Sequence, residues 1–168
     1  FDGARAVWTS DADLKLTAFY NHPVTRLPSD APSALDNEVT LNEGLDKVKF
    51  GGLNIEAPLP FSIIGEVYLF DLHEDDAPGN ATRNRDLSTL GARLRIAPAQ
   101  SKLDFDLEYA SQTGSTRATT SAVDTTDLDQ DAHMLHAQLG YTFDLPWWPR
   151  FALQYDQATG DNSPTDQS

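Results

Sequence analysis

The most constraining feature of the sequence is a strict alternation of apolar and polar residues across residues 88–112, interrupted only by a short polar turn near Pro98. A period of two over this length predicts a β-hairpin with one apolar and one polar face. The predicted apolar row consists of Leu90, Ala92, Leu94, Ile96, Leu103, Phe105, Leu107 and Tyr109.

A tight turn at Ala99 and Gln100 would fix the register of this hairpin. Cross-strand neighbours on one face then lie close enough to interact, and both apolar rows share one side of the sheet. The predicted pairs are Arg95 with Asp104, Arg93 with Asp106, and Leu94 with Phe105.

Two media fit such a sheet. In a soluble sandwich the apolar face covers a core, whereas in a transmembrane barrel it contacts lipid and the polar face lines the lumen.

The chain has 168 residues, enough for a single domain over residues 1–168. It is only 39% apolar with a mean hydropathy of −0.45. Such values fit a barrel that buries only alternate positions.

Charge and composition exclude several functional classes. A net charge of −14 argues against nucleic acid as a partner, which requires a basic face. The chain has no cysteine, so disulfides and thiolate metal sites are excluded. Residues 127–131 carry alternating carboxylates, but no EF-hand glycine and distal glutamate follow. We therefore predict no cofactor, no metal site and no catalytic residues.

Along the whole chain, the alternation predicts eight strands in four hairpins, in which short turns and long polar loops alternate. The predicted long loops are residues 22–46, 73–86 and 113–131. One strand changes phase at Gly51 and Gly52, which predicts a β-bulge there and places Phe50 on the apolar side. Strict alternation of short and long connections is typical of outer-membrane barrels.

Aromatic residues also favour the membrane interpretation. Five lie near the short turns and three near the long loops, as expected for two interfacial girdles. They are Trp8, Phe143, Trp147, Trp148 and Phe151, then Tyr20, Phe70 and Tyr109. With periplasmic short turns, both ends of the chain would lie outside the cell. We therefore expect an internal piece of a larger barrel, because open sheet edges are not tolerated in lipid.

Several stretches resemble the alginate-export family of outer-membrane β-barrels. They are residues 1–5 (FDGAR), 18–24 (AFYNHPV), 89–94 (TLGARL), 146–150 (PWWPR) and 154–161 (QYDQATGD). The resemblance implies an all-β, antiparallel up-and-down barrel of about eighteen strands in the bacterial outer membrane. Its lumen would carry an acidic polysaccharide outward. The implied partners are outer-membrane lipid, lipopolysaccharide, the solute itself and periplasmic secretion proteins.

The candidate pore-lining residues are the charged side chains predicted on the polar face. They are Arg5, Lys15, Arg93, Arg95, Asp104, Asp106 and Glu108. Guanidinium groups bind carboxylates in a bidentate manner, and rings of Arg or Lys favour anions in a pore. The alternative is that Arg93 and Arg95 only form a cross-strand ladder that stiffens the wall. Asp13, Glu66 and Asp156 are predicted on the same face, so its charge is mixed.

The sequence thus predicts an outer-membrane pore that passes a hydrophilic, anionic solute such as an alginate-like polysaccharide, without enzymatic chemistry. The alternative is a soluble or surface-exposed β-sheet binding module without transport activity. The two differ in whether Leu94 and Phe105 face lipid or pack on a core.

Overall fold

The computed structural model describes residues 2–25, 32, 35–36, 43–99 and 102–160. It is an all-β protein built on one eight-stranded antiparallel sheet, with a separate two-stranded ribbon. The strands of the sheet are β1 (Asp2–Thr9), β2 (Lys15–His22), β5 (Val48–Leu59), β6 (Ile63–Glu74), β7 (Asp86–Ile96), β8 (Lys102–Thr116), β9 (Leu128–Thr142) and β10 (Arg150–Ala158); the ribbon pairs β3 (Val24–Thr25) with β4 (Glu43–Gly44).

The sheet is a simple meander, since its spatial order β1-β2-β5-β6-β7-β8-β9-β10 follows the chain. It is open: within the described residues, β1 and β10 are its edges and do not pair with each other. No helix among those residues has the length and apolar character to span a membrane. The predicted all-β, up-and-down strand order is confirmed, whereas closure into a barrel is not part of the described structure.

The two faces of the sheet differ completely in character. On the apolar face, Leu94 of β7 lies opposite Leu107 of β8. This face continues onto the neighbouring strands β6 and β9. The apolar side chains are open to the surroundings: Leu90 is 58% exposed, Leu103 62% and Leu107 44%. Within the described residues no second layer covers them, so this face does not enclose a protein core.

Strand β8 shows how far the apolar face extends. Its apolar row begins at Leu103 and ends at Tyr109, after which Ser111 and Thr113 occupy the same face. At about 3.4 Å per residue this row covers about 20 Å, close to the ~25 Å apolar band of outer-membrane barrels. The change from leucine to serine therefore marks a boundary along the strand.

Short turns and long loops alternate as predicted, but the strands reach further into the long-loop side. The ladder between β8 and β9 continues to the pair Thr116 and Leu128, well inside the loop predicted at residues 113–131. Apart from Leu128, the residues of its outer pairs are glycine or polar, and alternation of apolar residues is therefore no guide to where these strands end. The same holds for β6, which extends to Glu74.

The predicted hairpin register is wrong by two residues. The strands pair Arg93 with Glu108, Arg95 with Asp106, and Leu94 with Leu107. Ordered pairing stops at Ile96 and Phe105, so the connection is longer than a tight turn. Of the predicted turn residues, Gln100 lies outside the described residues. A slip of two keeps every side chain on its face, which is why the predicted faces are correct although the partners are not.

The predicted β-bulge at Gly51 and Gly52 is absent. Strand β5 pairs without interruption with β6 from Val48 to Leu59, so its phase does not change. Phe50 therefore lies on the polar face, as does Phe70, which was predicted in the outer aromatic girdle. The other predicted girdle residues on strands, such as Trp8 and Tyr20, do lie on the apolar face.

Candidate functional site

The candidate site is the polar face of the sheet, where charged side chains of several strands form contacts across the sheet. We call the pairs described below the ionic ladder. Regular pairing places the members on one side of the sheet, because alternate residues of each strand share a face. The ladder consists of Glu56, Glu66, Arg93, Arg95, Asp104, Asp106, Glu108 and Arg150.

Arg93 is at the centre of the ladder. Its Nε donates to Asp106 Oδ1 at 2.7 Å, and its Nη2 donates to the other oxygen of the same carboxylate. Glu108, directly opposite in the register, has an oxygen 3.7 Å from Arg93 Nε. The predicted association of Arg93 with Asp106 is thus found as a diagonal contact, with bidentate geometry that fixes the guanidinium plane.

Arg95 binds a partner that the sequence did not indicate. Its Nη2 donates to Glu56 Oε2 at 3.1 Å, reaching from β7 across β6 to β5. The predicted pairing of Arg95 with Asp104 is therefore wrong. Glu56 lies directly opposite Glu66 in the β5–β6 ladder, and like charges in that arrangement repel. The positive charge of Arg95 offsets this repulsion.

Asp104 instead binds Arg150 at the start of β10. The two nitrogens of Arg150 donate to the two carboxylate oxygens at 2.5 and 3.1 Å, and the Asp104 side chain is only 2% exposed. Gly140 on the intervening strand makes room, since a Cβ there would lie 2.5 Å from Arg150 Nη2. Arg150 also donates to Gln138 Oε1 at 2.8 Å.

Polar side chains extend the ladder on both sides. Tyr68 donates its hydroxyl hydrogen to Glu108 Oε1 at 2.6 Å. Asn54 donates to Glu66 through its side-chain amide. Further along the sheet, His136 Nδ1 lies 2.5 Å from Asp156 Oδ1. These contacts form several hydrogen-bonded clusters on the face, and most of its carboxylates have a donor.

Two predicted site residues stand apart from the ladder. Arg5 lies opposite Phe19 on the polar face and is exposed, and Lys15 lies opposite Glu56. Neither makes an ion pair among the described residues. Asp13, predicted on the same face, is wrong: it lies in the β1–β2 turn with φ of 59° and belongs to no strand.

Sequence reasoning missed several members of this surface: Glu56, Arg150, Asn54, Tyr68 and His136. A signal existed for Glu56 and His136, which share the parity of the other polar-face residues on their strands. No sequence signal indicated which residue pairs with Arg150. This pairing depends on the register of the strands, and alternation does not fix the turns that set the register.

The chemistry of the surface is electrostatic binding. Each ladder arginine is matched by at least one carboxylate, and the five ladder carboxylates outnumber the three guanidinium groups, so the wall carries fixed charges of both signs and no net basicity. Among the described residues, no group of three or more His, Asp or Glu side chains is arranged to hold a metal ion.

Comparison with known proteins gives one match. The profile of the Alginate export family matches residues 1–168, the whole chain. No curated protein and no solved structure matches the chain. The family is a transport family, in agreement with a surface that binds charge. By the extent of this match, the chain belongs to the Alginate export family.

Proposed function

We propose that the sheet forms part of the wall of a bacterial outer-membrane pore that exports a hydrophilic, anionic solute such as an alginate-like polysaccharide. The observation that carries the proposal is the contrast between the faces: leucines such as Leu90 and Leu103 are exposed on one face, and paired charges cover the other. A wall between lipid and water requires this arrangement.

The proposal includes further strands beyond the eight described. The edges β1 and β10 present unpaired backbone N–H and C=O groups, which a bilayer does not tolerate. Pairing with additional strands would close the sheet into a barrel, with about eighteen strands expected for this family. Outer-membrane lipid and lipopolysaccharide would then contact the apolar face. Periplasmic secretion proteins would deliver the solute.

The ladder suits an anion that must move. An isolated arginine would bind a polyuronate carboxylate tightly, whereas conduction requires binding weak enough for release. Asp106 and Glu108 compete with the solute for Arg93, and Glu56 competes for Arg95. Arg5 and Lys15, without ion pairs among the described residues, would contact the solute directly. Transport by this mechanism is diffusion along a charged wall and involves no covalent step.

The proposal is tested by reconstituting the complete barrel, this sheet together with the additional strands that close it, in planar bilayers. We expect ion conductance that an oligouronate blocks. Replacing Arg93 and Arg95 together by Glu should shift the reversal potential toward cation selectivity, because it reverses two fixed charges of the wall. The matched control is the swap Arg93→Asp with Asp106→Arg, which keeps the net charge and should leave selectivity near that of the unmodified protein.

Absence of conductance in the unmodified complete barrel would overturn the pore itself. Conductance with unchanged selectivity in the double variant would instead remove Arg93 and Arg95 from the lining.

A further inference from the structure

Four aromatic rings lie on the polar face, next to the ladder and toward the long-loop side. We call Phe19, Phe50, Phe70 and Tyr68 the aromatic patch. Their ring centroids are 5.3 Å apart for Phe19 and Phe50, 5.8 Å for Phe19 and Phe70, and 4.7 Å for Tyr68 and Phe70. The first two pairs are tilted and the last is stacked, so the rings form one contiguous surface.

Two glycines allow these rings to lie against the backbone. A Cβ at Gly52 would lie 2.4 Å from the Phe70 ring, and one at Gly91 would lie 2.1 Å from the Tyr68 ring. Both glycines are on the polar face, on strands that flank β6. The rings of β6 therefore lean over positions without side chains. Phe19, Phe50 and Phe70 each stay partly exposed.

The position of the patch is unexpected for a structural cluster. The opposite face of the same strands is apolar and would accommodate phenylalanine in lipid, whereas the polar face lines a water-filled lumen in the proposed pore. The part of each ring that stays exposed on the wet face costs hydration free energy, which a ligand covering the rings would recover. Exposed aromatic groups with nearby polar groups are typical of ligand sites.

Next to the patch, small side chains leave a shallow depression in the polar face. A groove of about 280 Å³ runs beside Tyr68 and Phe70. Its floor includes Ala110 on β8, Ala132 on β9 and Ala158 on β10. A flat-sided ligand can thus contact an aromatic wall while lying against the sheet.

A positively charged side chain, that of Arg5, lies beside the patch. Arg5 lies directly opposite Phe19 in the β1–β2 ladder, and such neighbours have Cβ atoms about 4.5–5.5 Å apart. Within the described part of the chain, Arg5 has no ion pair, unlike Arg93, Arg95 and Arg150, which carboxylates hold. Its guanidinium is therefore available to an anion that also contacts the rings.

We propose that the aromatic patch and Arg5 form a subsite for a single uronate unit of the transported chain. The C–H groups of one pyranose face stack on the rings, whose faces carry partial negative charge. The carboxylate of the same sugar pairs with the Arg5 guanidinium. This proposal rests on the proposed pore and adds that the wall recognises sugar rings in addition to charge.

The test measures block of ion current in planar bilayers by a short oligouronate and by a neutral oligosaccharide of the same length. In the double variant Phe19→Leu with Phe50→Leu, apolar volume is kept and the rings are lost. We expect block by both sugars to weaken by about tenfold, which corresponds to about 1.4 kcal/mol of lost ring stacking. In Arg5→Gln, block by the oligouronate alone should weaken.

Controls separate binding from folding. Phe151→Leu removes a ring from the apolar face and should leave block unchanged. Phe50→Tyr keeps a ring and should retain block, and unblocked conductance identifies intact pores in every variant. Equal block in the ring variant and the unmodified protein would overturn the subsite, and so would a loss of block that Phe50→Tyr shares. Because conductance is measured first, a failure of the pore is recognised separately.

Discussion

The apolar and polar faces of this sheet are held in different ways. On the apolar face, aliphatic and aromatic side chains such as Leu90, Ala92 and Leu94 occupy every second position, without hydrogen bonds or ion pairs to particular partners. On the polar face, side chains are paired individually, as for Arg93 with Asp106 and Arg150 with Asp104. One face therefore depends on the surrounding medium, and the other on the register of particular strands.

This difference predicts how each face responds to mutation. Substitutions on the apolar face should matter through transfer into lipid, regardless of the exact neighbour. Substitutions on the polar face should lower stability because the former partner of the replaced side chain is left without its hydrogen bond or ion pair. The predictions below compare matched positions on the two faces.

The largest effect is expected from a charge on the apolar face. Leu107→Arg places a guanidinium where the side chain is 44% exposed to the proposed lipid. It should lower the free energy of unfolding from lipid vesicles by about 2–4 kcal/mol. The control is His136→Arg on the polar face of the next strand, which places a guanidinium beside Asp156 and should change little. Equal losses in both variants would contradict the assignment of the faces.

A smaller loss is expected from breaking the most buried ion pair of the ladder. Asp104→Asn removes the charge that Arg150 holds bidentately, and should cost about 1.5–3 kcal/mol in the same denaturation measurement. Asp156→Asn is the control, because its pair with His136 is exposed and screened by water. If the control destabilises the protein as much as Asp104→Asn, burial does not explain the contribution of the Arg150 pair to stability.

Glycine substitutions on the two faces should also differ in their effect on stability. Gly91→Ala on the polar face would place a Cβ 2.1 Å from the Tyr68 ring, forcing that ring to move at a cost of about 1–3 kcal/mol. Gly65→Ala on the apolar face would meet the side chains of Leu59 and Leu94, and the nearest atom, a Leu59 methyl at 2.8 Å, can rotate away. Denaturant midpoints should therefore fall for the first variant only. Unchanged stability of Gly91→Ala would show that the Tyr68 ring is not fixed over the glycine.

The same contrast explains what the sequence could predict. The strand order, the two faces and the alternation of turns follow from period-two patterns, which do not depend on the exact register. The pairing of Arg95 with Glu56 and of Asp104 with Arg150 does depend on it, and on strands that are not neighbours in the predicted hairpin. Phe50 was misplaced because an apolar residue on the polar face was interpreted as a bulge.

Ionic support extends beyond the strands into the long-loop side. Asp76, between β6 and β7, accepts a hydrogen bond from the Thr82 backbone N–H at 2.9 Å, and Arg117 Nη1 donates to it at 2.9 Å. The hydrogen bond from Thr82, with support from Arg117, lowers the pKa of the Asp76 carboxyl below its ordinary value. The β1–β2 turn, by contrast, is held by the Ser10 hydroxyl, which accepts from the Ala12 and Leu14 backbone N–H groups.

The smallest predicted effect follows from this difference. Because the pKa of Asp76 is lower in the folded protein, its contribution is fully present above the ordinary carboxyl pKa and is lost as pH falls through the lowered value. Hydrogen-exchange protection of Thr82, corrected for the intrinsic rate at each pH, should decline only in that acidic window. Asp76→Asn should reduce the protection and remove its pH dependence, while Leu14 in the β1–β2 turn stays unaffected. A decline at Thr82 that persists in Asp76→Asn would assign the pH response to another group.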